Sequence, residues 1–454
     1  MRFLFLTLEF RTGTFSGNGV YATAQVRALA AAGHELFVVS ARPGHAEVPD
    51  DACGAKSIIE IPVQTWHRLD AGAPWREYAA GVLDEAVGEA VRAFAPEAVL
   101  GVDWSALQAA RNLAPYCGGA PYVYLNYRVF TRTATGEDLE LVRSLEAAAM
   151  AEALLTVALS RSDAEFLASH VAASGEGGDG QRRQKELPPV LLPALREDVR
   201  QIAPPPEFLE AAASGPAASN EAEAAAVGVY DGDGGTGAAV GPAAAASEPT
   251  PSPARPYLSC VVRLSPEKEP ERFVAVVEAM AAQGVLARHR LKPLMLGVAE
   301  DEYAQGLKAR LRAAAPDSTI LERFIGPRDL AALFCQTRLN FHPSTYDAYG
   351  MTIVEAASQG APSIVHDGNG AVGATDLLRG GSDGGTEVFL VDLTAPPEQV
   401  AAQIDRILDQ PALLAATSAR ACSKARSWDE AANAAELVRM VRQAMQCGAG
   451  QGGG

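Results

Sequence analysis

The segment His342-Pro343-Ser344-Thr345-Tyr346-Asp347-Ala348-Tyr349-Gly350-Met351-Thr352-Ile353-Val354-Glu355-Ala356-Ala357-Ser358-Gln359-Gly360 decides how this chain is read. It follows a mostly apolar run, Leu339 to Phe341, that reads as the end of a strand. A Pro-Ser turn and a loop come next, and a helix begins near Gly350. The amides of Gly350, Met351 and Thr352 lie at the first helical turn, where N–H groups lack an intrahelical partner and can hold a phosphate. Asp347 and Glu355 bracket that start, and carboxylates accept hydrogen bonds from sugar hydroxyls. Anion capture and polyol capture in one short segment is what a nucleotide-sugar requires.

On both sides of this segment, short apolar runs alternate with amphipathic ones. In the first part, strands are expected at Phe3–Leu8, Leu36–Ser40, Ala98–Val102, Tyr122–Asn126, Leu154–Ala158 and Val190–Leu192. Helices are expected at Val20–Ala32, Tyr78–Phe94, Glu137–Ala153 and Ser162–His170. The same alternation resumes at Tyr257 and runs through strand Arg338–His342 to helix Pro397–Leu408. Apolar strands alternating with helices argue for parallel sheets covered on both faces. The fold class is therefore α/β, with two doubly wound, Rossmann-like domains in tandem and a cleft between them. Such sheets bind ligands at the carboxyl ends of their strands.

The domain boundaries follow composition. Residues 1–202 form the first domain and 255–426 the second. Between them, 203–254 is rich in Ala, Gly, Pro, Ser and acids without apolar period, and reads as a disordered insertion. A polar stretch from Ala172 to Glu186 behaves similarly. A last amphipathic segment, 427–446, precedes a Gly-rich tail, 447–454, expected to fray.

The chain has 454 residues, 48% of them hydrophobic, which is enough for two cores. Its net charge of -17 argues against general nucleic-acid or anionic-membrane binding, so an anionic substrate must be met by a local basic cluster. The six cysteines are scattered without metal-ligand or redox spacing and read as free thiols in a reducing compartment. Arg2 to Leu8 reads as a buried strand and not a signal peptide, because no small-residue cleavage site follows it. No run approaches membrane-span length, so a cytoplasmic protein is expected, with peripheral membrane contact left open.

Arg263-Leu264-Ser265-Pro266-Glu267-Lys268 follows the first strand of the second domain and supplies that basic cluster. Arg grips a diphosphate with its planar fork, and Lys adds a point charge. An isolated Arg-x4-Lys would be an ordinary surface loop; here the 342–360 segment offers phosphate and hydroxyl contacts in the same half. Thr14-Phe15-Ser16-Gly17-Asn18-Gly19 lies between the first strand and first helix, and is either a phosphate-approaching loop or a plain turn. Asp103 either orients a substrate hydroxyl or caps the helix starting at Ser105, and the cap is favoured. His34 reads as structural, and His342 and His366 end neighbouring strands without forming a recognisable metal cluster. Gly326-Pro327-Arg328 is either a nucleobase seat or an ordinary turn.

These residues make the chain resemble the retaining, metal-independent glycosyltransferases of the glycogen-synthase and sucrose-synthase type, glycosyltransferase group 1, which have the GT-B fold. The most specific match is the acid–(seven residues)–acid motif followed by Ala-x-x-x-Gly-x-Pro, here Asp347 to Glu355 and on to Pro362. Arg263 and Lys268 match the family's basic pair, and Ser427-Trp428 the opening of its last helix, which crosses back toward the first domain. The resemblance implies that Arg263 and Lys268 meet the donor diphosphate, that Asp347 contacts the transferred sugar, and that Glu355 accepts the ribose hydroxyls. It places the amides of Gly350, Met351 and Thr352 at the donor, with Gly17 and Gly19 closing from the opposite domain; Tyr349 and Gly326 are further donor-binding candidates. No metal and no cofactor is implied. The acceptor, whether glycan, lipid or small molecule, is left undetermined.

Three departures accompany the match. The first acid is usually Glu and here is Asp347; the usual first-domain histidine is replaced by Asn126 or Tyr127; and Thr375-Asp376 stands where a glutamate often follows. Asn126, Tyr127 and Asp103 are the expected acceptor-side residues. The competing readings are a nucleotide-sugar epimerase, a phosphorylase, or a non-catalytic binding or scaffold protein on the same fold.

Overall fold

A computed structural model describes residues 1–11, 17–44, 46, 51–66, 73–171, 187–207, 255–380 and 385–451. Of the insertion expected over 203–254, residues 208–254 lie outside the described residues, as do the polar stretch 172–186, Thr14 to Ser16 and the last three glycines.

The first six strands are β1 (Arg2–Thr7), β2 (Glu35–Pro43), β3 (Ser57–Val63), β4 (Ala98–Val102), β5 (Tyr122–Asn126) and β6 (Leu155–Ala158). They form one parallel sheet in the order β3-β2-β1-β4-β5-β6. Six more follow: β7 (Tyr257–Val261), β8 (Lys292–Leu296), β9 (Thr319–Leu321), β10 (Thr337–Phe341), β11 (Ser363–His366) and β12 (Phe389–Val391). Their order, β12-β11-β10-β7-β8-β9, repeats the first sheet's topology with β7 in the place of β1. Both are doubly wound sheets with a switch point, between β1 and β4 and between β7 and β10. Two Rossmann-like domains facing across a cleft is the GT-B arrangement.

The strands have this form because they are apolar on both faces. Phe3, Leu4, Phe5 and Leu6 are all fully buried, their side chains alternating between two helix layers. The chain crosses between domains twice, and the crossings are paired. Leu195 N donates to Trp428 O at 3.1 Å, and Trp428 Nε1 donates to Leu192 O at 2.9 Å. The helix Glu430–Gln451 then returns to the first domain, where Leu437 and Val441 join the core of Phe3 and Phe5.

Several sequence-based boundaries are corrected. The helix expected over Tyr78–Phe94 is two helices, Ala73–Gly81 and Glu85–Phe94, because Asp84 caps the second by accepting from Ala86 N at 2.9 Å. Val190 makes a single bridge to Ala158 and no strand. Residues Gly373–Asp376 form one 3-10 turn. The strand β3 and the helix Pro411–Ser427 were not foreseen, and the final helix runs to Gln451, through part of the tail expected to fray.

Candidate active site

The site grows from the second switch point. β7 and β10 are neighbours, and the loops leaving their carboxyl ends, 262–269 and 342–350, face each other. Side chains stitch them together. Ser344 Oγ donates to Lys268 O at 3.1 Å, and Glu269 Oε2 accepts from Thr345 N at 2.5 Å and Thr345 Oγ1 at 2.7 Å. The other Glu269 oxygen accepts from Arg272 at 3.1 and 2.9 Å. Burial alone would push the Glu269 carboxyl up; the Thr345 bonds and Arg272 outweigh it and hold it below its ordinary value.

That stitching sets Lys268 against Asp347. Lys268 Nζ lies 2.7 Å from Asp347 Oδ2, and His342 Nε2 lies 3.2 Å from the same oxygen. The other oxygen, Oδ1, accepts from Tyr349 N at 3.3 Å. Burial opposes the charge on Asp347, but Lys268 and His342 overcome it and hold this carboxyl well below the usual range. The Asp347 backbone is bridged to Val372, so the carboxylate is fixed from both ends. Arg263, on the same loop as Lys268, pairs with Glu267. Glu267 also lies 3.5 Å from Arg128 of the first domain.

The helix Met351–Ser358 begins at Gly350, whose φ of 85° is left-handed. A Cβ there would stand 2.7 Å from Ile353 Cδ1, so the turn that presents the Met351 and Thr352 amides needs glycine. Gly17 of the first domain sits close to that start: a Cβ built on it would lie 3.6 Å from Met351 Sδ. Gly19 follows in the same helix, Gly17–Ala31. Gly326 precedes the helix Pro327–Cys335 beyond the end of β9. Tyr349 is buried, and its hydroxyl has no partner among the described residues. Glu355 is 4% exposed and accepts from Arg196 Nε at 2.8 Å. The structure thus brings Lys268 and Asp347 together, joins Arg263 to the first domain through Glu267, and gives Glu355 a separate cation. Arg196, Glu269, Arg128 and Tyr346 escaped sequence reasoning because a lone Arg, Glu or Tyr in a loop carries no spacing signal.

The first-domain expectations are corrected. Asp103 caps no helix with its side chain. It is 3% exposed, with φ 55°, and its Oδ1 accepts from Tyr127 N at 2.7 Å and Arg128 N at 3.2 Å. Its Oδ2 accepts from Asn18 Nδ2 at 2.7 Å. Burial, working against the Tyr127 and Arg128 amides, raises this carboxyl well above its ordinary value. Asp103 therefore ties together three chain segments at the carboxyl rim of the first sheet. Asn126 and Tyr127 are not cleft-surface side chains. Asn126 is fully buried and donates to Tyr124 Oη at 2.9 Å and Arg128 O at 3.0 Å. Tyr127 packs on Tyr21 and donates to Gln25 Oε1 at 2.5 Å.

The two domains are clasped beside Asp347. Tyr346 Oη donates to Asp163 Oδ1 at 3.0 Å, Arg132 Nη1 donates to the same oxygen at 2.9 Å, and the Arg132 guanidinium lies 4.1 Å from the centre of the Tyr346 ring. Arg161 N donates to Asp376 Oδ2 at 2.6 Å. Gly373 is pressed between the halves: a Cβ there would meet Ala348 O at 2.1 Å and Ser160 Cβ at 2.8 Å. The gap lined by Ala194, Arg196, Tyr349, Met351 and Glu355 is too narrow to hold a water molecule. The cleft is shut.

Residues 246–428, which span the whole site loop pair and the second sheet, match the family described as glycosyl transferases group 1. The match is to the second domain. The likeness in fold covers the rest of the chain as well. The sucrose-phosphate synthase of Thermosynechococcus elongatus superposes with a TM-score of 0.69 at 15% identity, over 98% of this chain and 99% of that one. The Anabaena protein Alr3699/HepE, solved with UDP and glucose, gives 0.62 at 16% identity over 98% and 100%. The catalytic domain of starch synthase IV from Arabidopsis thaliana, bound to ADP and acarbose, gives 0.64 at 12% identity over 98% and 99%. At these identities the likeness is one of fold. No curated protein sequence matches the chain. Among the described residues, no helix is long and apolar enough to cross a membrane, and all six cysteines are free.

Proposed function

We propose that this chain transfers a sugar from a nucleoside-diphosphate sugar to an acceptor hydroxyl, with retention of configuration at the anomeric carbon. The observation that carries the reading is the Lys268–Asp347 pair at 2.7 Å, held at the switch-point rim beside the Gly350 helix start. Cation and helix-start amides there match the diphosphate of such a donor, and the carboxylate matches its sugar hydroxyls. The HepE and starch synthase IV structures, which hold UDP and ADP, support the choice of donor class.

In the proposed step, the bond from the sugar's anomeric carbon to the diphosphate oxygen breaks, and a bond to the acceptor oxygen forms on the same face. The acceptor proton passes to the departing diphosphate. Negative charge grows on that group, and Arg263, Lys268 and the Met351 and Thr352 amides stabilise it. Cations and amides aimed at a growing charge contribute several kcal/mol. Asp347 takes hydroxyls of the transferred sugar and Glu355 those of the ribose, once Arg196 yields. No metal is needed in this scheme, since two cationic side chains meet the diphosphate.

A panel of nucleotide-sugars screened by thermal shift tests the donor. Ligand at about a hundred times its dissociation constant stabilises by about 2.7 kcal/mol, which a melting curve resolves. The variant Arg263→Ala/Lys268→Ala is expected to lose transfer; unchanged turnover in it defeats the assignment.

A further inference from the structure

One set of side chains outside the cleft has the chemistry of metal ligands, and the donor scheme uses none of them. His289 ends the short helix Val285–His289, just ahead of β8. Asp405 lies in the last turn of the helix Pro397–Leu408 and Asp409 is its C-cap, so the two carboxylates, four residues apart, share one face. His289 Nε2 lies 2.7 Å from Asp405 Oδ1 and 3.7 Å from Asp409 Oδ1. These three atoms all lie within 4.8 Å of one another. Arg338, near the start of β10, donates from Nη1 to His289 O at 2.8 Å. The set therefore sits at the amino ends of the second sheet, on the face opposite the donor loops.

Ion pairing does not account for this set. Arg288 Nη1 donates to Asp405 Oδ2 at 2.6 Å, which leaves Oδ1 turned toward His289. The one Nε2 hydrogen of an imidazole can reach Asp405; Asp409, at 3.7 Å, is too far for a hydrogen bond. The Asp409 carboxylate has no other partner among the described residues. Carboxylates at i and i+4 repel, and the carboxyl end of a helix disfavours negative charge. A dication between the three atoms removes both penalties. Ligand atoms around a tetrahedral zinc ion stand about 3.3–3.6 Å apart, given bond lengths of about 2.0–2.2 Å. The Asp409 distance is already close to that, and the Asp405 distance widens by about 0.6 Å once the hydrogen between the two atoms leaves. Asp409 is 60% exposed, so it is free to follow, and solvent reaches the fourth position beside it.

We infer that His289, Asp405 and Asp409 form a binding site for a divalent metal ion, with water as the fourth ligand. One imidazole and two carboxylates, without a thiolate, suit a first-row dication, and Zn2+ binds such a set more tightly than Mn2+ or Fe2+. Arg288 orients Asp405 and Arg338 holds the His289 backbone, as the groups behind metal ligands do. The bound ion staples the helix Val285–His289 to the end of the helix Pro397–Leu408. It takes no part in sugar transfer, so the site stands apart from the donor reading.

The full-length, untagged chain, freed of metal with EDTA and exchanged into clean buffer, is titrated with Zn2+ by calorimetry. One equivalent is expected to bind saturably. Losing a group behind a ligand costs about 10–100-fold in metal affinity, and losing a ligand costs no less. His289→Ala is therefore expected to weaken binding by about a hundredfold or more, and Asp409→Asn, which keeps an oxygen, by about tenfold. Because the chain also has six cysteines, Co2+ serves as the second probe. Its one-equivalent complex is expected to show the weak visible bands of nitrogen and oxygen ligands without the charge-transfer band that a thiolate adds. Absence of saturable Zn2+ binding, wild-type affinity in both variants, or a thiolate band in that cobalt complex each overturns the inference. Circular dichroism reads folding, and Asp409→Asn, at an exposed side chain, keeps the test decisive should His289→Ala misfold.

Discussion

Removing one oxygen atom, by Tyr346→Phe, asks whether closure of the cleft positions the loop that carries Asp347. Tyr346 is the neighbour of Asp347 in sequence, yet its hydroxyl bonds across the cleft to Asp163 at 3.0 Å. Asp163 is fully buried, and burial pushes its carboxyl up to about 6 against the pull of Arg132 and of Tyr346 itself. A hydrogen bond to a charged group contributes about 1.5–3 kcal/mol. Arg132 continues to hold Asp163 at 2.9 Å and to face the ring at 4.1 Å, so the lower figure applies to this deletion. About 1.5 kcal/mol lowers the closed-to-open ratio roughly tenfold. Hydrogen exchange reads this locally. The amides of Thr345, Asp347 and Tyr349, bonded to Glu269, Ala371 and Asp347 respectively, are expected to exchange about tenfold faster wherever opening of the cleft limits them. X-ray scattering reads the same opening globally, and kcat is expected to fall while nucleotide affinity does not. Wild-type exchange in those amides together with wild-type scattering would refute the coupling of clasp and loop.

Two further outcomes follow from buried charges. Burial pushes the Glu146 carboxyl from 4.5 up to about 7, although Thr131 and the Phe130 amide bond to it. Its stabilising share is therefore complete below pH 4.5 and lost as pH rises through about 7. Glu146→Gln is expected to flatten that decline by up to about 3 kcal/mol, measured by urea unfolding across the pH range. Arg196→Ala leaves the buried Glu355 carboxylate without its cation, and the ligand-free melting temperature is expected to drop, in line with about 3–5 kcal/mol for a broken buried pair. If Glu355 serves the donor ribose, the same variant is expected to show a larger donor-induced thermal shift than the wild type; an equal shift would separate Glu355 from the donor.

Much of the frame was readable because the information is local. Continuous apolar strands such as Phe3 to Leu6 announce a parallel sheet buried on both faces, and the Gly350 turn before an apolar helix announces an anion-facing start. The Arg263 and Lys268 loop and the acid pair Asp347 and Glu355 were visible as spacings. Short or edge elements were harder. β3 reads Ser-Ile-Ile-Glu-Ile-Pro-Val, half-buried at the sheet edge, and the break at Asp84 rests on one side-chain cap within an unbroken helical pattern. The function of Asp103 was misread for a related reason. A carboxylate before a helix looks like a cap, and only the turn at Tyr127 and Arg128, distant in sequence, supplies the amides it accepts from.

By itself, the amino-acid sequence determined two doubly wound domains and the chemical types gathered at the second switch point, since periodicity and short motifs act over a few residues. Tertiary structure alone decided the partners: Lys268 with Asp347, Arg196 with Glu355, Arg128 with Glu267 and Tyr346 with Asp163. Each pair joins residues that lie far apart along the chain, and their strength depends on burial and angle at the meeting point. No one-dimensional pattern encodes that meeting point; the two sheets create it when they close on each other.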